Sequence, residues 1–396
     1  MWKKIVQLLI ILAAVHSSEF EWCSPKCICP SQKEVFCHSG GFSEIPILEL
    51  PSLVEHLSFM KNNFTVIKAD AFIKLKNLRK LVLDGNNIMH IRSFAFRGVP
   101  KLEELYINNT NLSALSPFSF AGLLNVRNIF LGNNLIGSIG RNAFAGTSNV
   151  ESINLSRNPL LRINSSAFSG LRHVRYLILP SGIKHIEPEA FTGMDAIGLI
   201  KLPYMDLPSL RPNTFHGLNN VYGLMIQDSD LGIIQPNAFA NLSSVGLISL
   251  TNNKIDSIRQ LVILDSQNIE TIKLDGNHIL DVPPPGFVVL EVSKEVIVTR
   301  NHFPCDCRIH YLLDSPLATG NKSLFLGENY CISPLEVNGK PMSSLDLQSI
   351  GGCNDETSVL NRNSAAFCER YSHIIFPTLL SLYMQHNSIE CLRLMS

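Results

Sequence analysis

Leucine-type residues recur along this chain on a 24-residue clock. The middle apolar residue of each unit falls at Leu57, Leu81, Leu105, Ile129, Ile153, Leu177, Ile200, Leu224, Ile248, Ile272 and Val296, and only the step from Leu177 to Ile200 is shorter, at 23. An amphipathic helix repeats its apolar face every three to four residues and a strand every two, so neither element explains such a period. A fixed repeat of this size marks a chain wound into stacked coils, each of which shares its core only with its neighbours.

Each column of the repeat has its own physical reason. The leucine-x-leucine triplet reads as a short strand with both leucines pointing inward, and one coil cannot bury them alone. Phe72, Phe96, Phe120, Phe144, Phe168, Phe191, Phe215, Phe239, Ile263 and Phe287 form a second column, expected to be a continuous buried spine on the side away from the strands. Asn62, Asn86, Asn134, Asn158, Asn253, Asn277 and Asn301 form a third, where the chain turns and an amide can both donate to and accept from backbone groups that have lost strand partners. That column lapses at Thr110, Gly182, Met205 and Ser229. The coils are therefore expected to be least regular between Leu177 and Ser229.

The pattern LxxLxLxxNxLxxI followed by an Ala-Phe-x-Gly-Leu segment resembles the leucine-rich repeat of the 24-residue class typical of animal extracellular proteins, over roughly Cys23 to Cys353. The resemblance implies an α/β solenoid: an arc with a concave parallel β-sheet, a convex side of turns and short helical segments, and disulfide-bonded caps at both ends. CSPKCICPSQKEVFC resembles the cysteine-rich N-terminal flank of that family, and NHFPCDCRIHYL with Cys331 and Cys353 its C-terminal flank. Four cysteines alone allow three pairings. The family pattern implies Cys23–Cys29 and Cys27–Cys37 in the first cap, and Cys305–Cys331 and Cys307–Cys353 in the second.

The chain of 396 residues carries ten cysteines, none of them between Cys37 and Cys305. Clustered cysteines without histidines at zinc-finger spacing read as disulfides, which belong to an oxidising compartment. The N-terminus agrees, since MWKK followed by the apolar IVQLLIILAAV and then HSS has the form of a secretory signal peptide over 1–17. Asn63, Asn108, Asn111, Asn154, Asn164, Asn241 and Asn321 lie in Asn-x-Ser/Thr sequons, so the expected product is a secreted glycoprotein. The organisation expected is a cap at 18–51, repeats at 52–300, a cap at 301–353 and a tail at 354–396. The tail's apolar run from Ile374 to Met384 is too short to span a membrane, and Cys368 and Cys391 in it are free to pair with each other or with a second chain.

Formal net charge is zero, which offers no basic surface for nucleic acid. No nucleophile elbow, zinc-binding HExxH or phosphate-binding loop is present, and the twelve histidines share no spacing. His90 and His185 read as solvated turn residues. An enzyme, a metal site and a cofactor are therefore not expected. The outward residues of the expected concave sheet are the candidate binding surface for an extracellular protein ligand or receptor. Tyr106 and Phe130 form one exposed cluster, and Tyr176, Ile178, Leu199 and Met225 a second. Asn154, outward and in a sequon, stands between them. Two functions fit: a secreted binding module in adhesion, guidance, reception or transport, or a non-catalytic accessory or structural subunit, possibly a disulfide-linked homodimer.

Overall fold

In a computed structural model, residues 23–353 are described apart from 265–267, 285 and 319–321. The signal segment, Asn321, Cys368, Cys391 and the tail from 354 lie outside the described residues. The chain divides into one unit through Asp346 and another from Leu347. The account below concerns the first unit, except where Cys353 is named.

One sheet of 13 strands runs the length of the coils. It opens with an antiparallel pair, Ile28–Ser31 on Glu34–Phe36, and every later pairing is parallel, from Glu34–Phe36 on His56–Ser58 to Ile269–Asp275 on Glu295–Thr299. Each parallel rung joins residues one repeat apart, such as Leu81 to Leu105 and Leu105 to Ile129. The three-residue strands show the alternation the repeat dictates: the central leucine-type residue is buried and its two neighbours are half-buried on the other face.

The back of the coils holds two-residue strands and turns. Val66–Ile67 pairs with His90–Ile91, Ala114–Leu115 with Ser138–Ile139, and Arg162–Ile163 with His185–Ile186. His90 and His185 thus belong to paired strands, not to turns. Among the described residues the helices lie beyond the repeats, at Arg308–Leu313 and Lys322–Glu328 with three 3₁₀ turns nearby.

The phenylalanine column is the spine. Phe72, Phe96, Phe120, Phe144, Phe168, Phe191 and Phe215 have no measurable exposure and Phe239 very little. Rings stack from Phe72 to Phe144 and again from Phe168 to Phe239, with centroids 5.1–5.9 Å apart. Phe287 departs from the expectation: it is 49% exposed, because the repeat has lost its regular back strand by then and Leu261–Ile263 pairs with Val288–Leu290 in its place.

The asparagine column is a hydrogen-bonded ladder. Asn277 Nδ2 donates to Leu250 O at 2.9 Å, while its Oδ1 accepts the Asn253 N–H at 2.9 Å. The ladder extends past the repeats, since the Asn301 N–H donates to Asn329 Oδ1 at 3.0 Å in the C-terminal cap. Where the column lapses, hydroxyl residues take over part of the work. The Met205 N–H donates to Ser229 Oγ at 2.9 Å, and that hydroxyl donates to Gln227 O at 2.8 Å.

The region expected to be least regular has the longest strands. Asp195–Pro203, Asn219–Gln227 and Ser243–Thr251 each run nine residues in unbroken register. The missing residue of the short repeat is lost from the turn after Leu179, where Gly182 adopts φ 81. Glycine takes that conformation without a Cβ clash. The strand beyond stays in register, with Tyr176, Leu177 and Ile178 opposite Leu199, Ile200 and Lys201.

Disulfides join Cys23 to Cys29, Cys27 to Cys37 and Cys305 to Cys331, and Cys307 and Cys353 are both disulfide-bonded. A coil at the end of a stack exposes core on one side, and these bonds tie down the short segments that cover it.

Candidate functional site

The outer face of the large sheet, the one expected to be concave, carries the candidate residues. Tyr106, Phe130, Tyr176, Ile178, Leu199 and Met225 are all half-buried, less open than the sequence implied. Neighbouring strands stand about 4.8 Å apart, so side chains in one column shield each other.

The first cluster is closed on itself. Tyr106 and Phe130 stack at 4.6 Å between centroids with planes 19° apart. The Tyr106 hydroxyl donates to Glu104 Oε2 at 3.1 Å, and Lys80 lies 4.9 Å from the ring centroid and 2.8 Å from the same carboxylate. The Lys80 hydrogen bond, followed by that from Tyr106, outweighs burial and holds the Glu104 carboxyl below its ordinary value. Burial, then the Glu104 carboxylate, pushes the Tyr106 phenol up.

The second cluster is less uniform than expected, and Arg175 lies 5.2 Å from the Tyr176 ring centroid. Lys201 stands between Ile178 and Met225 in the same column, so the apolar run is interrupted by a cation. Lys201 is exposed, and among the described residues it forms no ion pair. Leu199 lies against Gly223, where an added Cβ would come within 2.9 Å of the leucine Cδ1. Asn154 separates the two clusters, opposite Phe130 on one side and Ile178 on the other. Its Oδ1 accepts the Ser156 N–H at 2.9 Å, and among the described residues its Nδ2 has no partner.

A feature that the leucine spacing does not flag runs along the edge where each strand begins. Glu55, Arg79, Glu103, Arg127, Glu151 and Arg175 alternate in sign over six successive coils. Lys33 approaches Glu55 at 2.7 Å, Arg79 reaches Glu103 at 2.5 Å and Glu55 at 3.9 Å, and Arg175 reaches Glu151 at 3.6 Å. The next three rungs are Gly198, Tyr222 and Gly246, after which Glu270 and Lys294 pair at 2.5 Å. Tyr222 is 76% exposed. The signal is present in the sequence as a 24-residue alternation of charge, two positions ahead of the central leucine-type residue of each strand.

Two aspartates share one column at the opposite edge. Asp84 has no cation beside it, and burial pushes its carboxyl up although the Asn108 N–H donates to it at 2.7 Å. Asp275 is buried against Arg300, whose Nε donates at 2.8 Å, and is held down to about 2. On the flank of the coils His302 stacks on Tyr330 at 5.3 Å and meets His278 at a tilt of 52° with centroids 4.5 Å apart, and among the described residues His302 Nδ1 is buried without a partner. Burial and His278 push the His302 ring below its ordinary value. Among the described residues no three His, Cys, Asp or Glu side chains gather into a metal-holding group, and no helix is long and apolar enough to cross a membrane.

A stack of parallel coils with an asparagine ladder, a phenylalanine spine and disulfide-bonded ends is a leucine-rich repeat solenoid. The chain belongs to the BspA-type leucine-rich repeat family, whose repeat region it matches in six copies over residues 52–171 and 161–281. No curated protein matches the sequence. Solved structures similar to it include human 5T4, the trophoblast glycoprotein, at 17% identity and TM-score 0.38, covering 85% of this chain and 100% of that one. The FLRT2 leucine-rich repeat complex with latrophilin 3 and Unc5D is similar at 18% identity and TM-score 0.49, covering 82% and 98%. The TLR13–ssRNA13 complex is similar at 17% identity and TM-score 0.37, covering 61% and 50%.

Proposed function

We propose that this chain is an extracellular, non-catalytic binding protein that takes a protein partner on the outer face of its large sheet. Repeats at 52–300 would present that face between cysteine-rich caps at 18–51 and 301–353. The observation that carries the reading is the half-buried patch of Tyr176, Ile178, Leu199 and Met225. Apolar side chains gathered around a cation on an accessible face are what partner contacts use. Disulfides in both end regions support an oxidising, extracellular setting.

The same reading gives the sequons a role. A glycan on Asn154 would stand in the middle of the face and confine a partner to one side of it. The internal pairing of Tyr106 with Glu104 and Phe130 leaves the side beyond Asn154 as the one with free capacity. Surface plasmon resonance against candidate ectodomains, using the secreted chain and a Leu199→Glu/Met225→Glu variant, tests this. Binding lost in the variant supports the face. Binding retained at full strength moves the site off it.

A further inference from the structure

We propose that the break in the edge charge ladder anchors an extended protein segment that places an apolar or aromatic side chain on Tyr222 and a carboxylate on Lys201. The inference rests on the outer-face reading above and specifies where on that face the partner is gripped and by what chemistry.

The rungs that flank the break are paired, while Arg127 further back is in no ion pair among the described residues. Arg175 pairs with Glu151 at 3.6 Å before it and Lys294 with Glu270 at 2.5 Å after it. Such paired, exposed charges offer little net field to a partner. Within the break the side chains vanish on both sides of one aromatic ring. The gap is fixed by the backbone: a Cβ on Gly198 would meet Arg175 O at 2.4 Å, and a Cβ on Gly246 would meet Tyr222 O at 2.7 Å. No larger residue fits either position without moving a strand, so neither neighbouring rung places a side chain against Tyr222, which is 76% exposed. Tyrosine is among the residues that dominate binding energy, because it is large, stiff and amphipathic.

Lys201 supplies the second contact. It lies on the strand that pairs with the Tyr222 strand, three residues along from Gly198, or about 10 Å at strand rise. It is the unpaired cation of this patch, since Lys273 further along the same column is 3.3 Å from Asp275. A cation left without a partner on a partly apolar surface favours a carboxylate that brings its own apolar flank. One cation is too few for a phosphate backbone, which needs a row of them. An extended segment with an acidic residue two to four positions from an apolar one spans both contacts.

Selection of a displayed library of random dodecapeptides on the full secreted chain tests the proposal. Enriched peptides are expected to pair Asp or Glu with an aromatic or aliphatic residue at that separation. Their affinity, read by biolayer interferometry, is expected to fall at least about tenfold in Tyr222→Ala and in Lys201→Glu, and to hold in Arg127→Ala. Both decisive substitutions are at exposed side chains, and an unchanged melting temperature verifies the fold. Peptides lost only in a Tyr106→Ala/Phe130→Ala variant overturn this site and leave the outer-face reading standing. Peptides indifferent to all of these variants overturn both. Enrichment of basic sequences, or of none, overturns the chemistry proposed.

Discussion

The two halves of the array solve one stacking problem differently. Up to Arg175 the parallel strands of the large sheet have three residues each, and the edge beside them is lined by charges of alternating sign. From Asp195 the strands reach nine residues, and the charges at the edge give way to Gly198, Tyr222 and Gly246. Main-chain hydrogen bonds run along the edge in both halves, from the Arg79 N–H to Glu55 O and the Glu103 N–H to Arg79 O as from the Leu199 N–H to Arg175 O, and the first half adds charged side chains to them. The first half engages its edge charges with one another except at Arg127, which is in no ion pair among the described residues, whereas the second leaves a tyrosine and a lysine unengaged.

The largest expected contrast lies in the aromatic column. Phe144→Ala removes a fully buried ring and is expected to cost about 3–5 kcal/mol, whereas Phe287→Ala, at a half-exposed ring, costs less than about 1. Urea denaturation followed by circular dichroism checks both, and equal shifts would mean that the spine reaches the last repeat. Next comes the polar ladder. Asn277→Ala strips a donor and an acceptor from buried backbone groups and breaks two further amide–amide bonds, and is expected to cost about 3 kcal/mol, against about 1 for Ser229→Ala, whose hydroxyl makes two backbone bonds and no amide–amide bond. Hydrogen exchange at the neighbouring coils would locate the loss.

The paired aspartates give a smaller, pH-dependent contrast. Asp275 is depressed from 3.8 to about 2, so its contribution is complete above the ordinary value and is lost as pH falls from there toward 2. Asp275→Asn is expected to cost on the order of 2 kcal/mol at neutral pH and nothing near pH 2. Asp84 is shifted the other way, so the fold gains from its protonation as pH falls through its raised value. Asp84→Asn keeps the acceptor for the Asn108 N–H and is expected to be neutral or slightly stabilising at pH 7. Melting curves across pH for the two variants would show opposite trends. A single trend would mean that Arg300 is not what separates them.

The smallest contrast is within one small-residue column. Thr214 and Ser119 occupy the same repeat position, but Thr214 Oγ1 donates to Arg211 O at 2.7 Å, whereas Ser119 Oγ is buried without a partner. Ser119→Ala is expected to stabilise by about 1 kcal/mol and Thr214→Ala to destabilise by a similar amount. Differential scanning calorimetry resolves shifts of that size.

The period made the strands, the spine and the ladder legible, because Leu81, Phe96 and Asn86 each answer to a constraint that recurs in every coil. It misled at Phe287, where the residue persists but the back strand that would cover it does not. The lapses at Gly182 and Met205 were read as irregularity, yet the short turn absorbed the missing residue and the strands beyond lengthened. Strand length depends on close backbone approach at Gly198 and Gly246, a property of neighbouring coils that no single repeat displays. Of the candidate site, the columns were legible. Whether Tyr106 was already occupied by Lys80 and Glu104 depended on side-chain distances that spacing does not encode.

Asn253, Asn277 and Asn301 present interchangeable donors and acceptors, and Asn329 accepts from Asn301 as Asn277 accepts from Asn253. Excising or duplicating one whole 24-residue module in that stretch would leave every amide with a neighbour of the same kind. The array's length there is a quantity that gene-level insertion or deletion can adjust in whole steps, moving the terminal cap along without rewriting its junction.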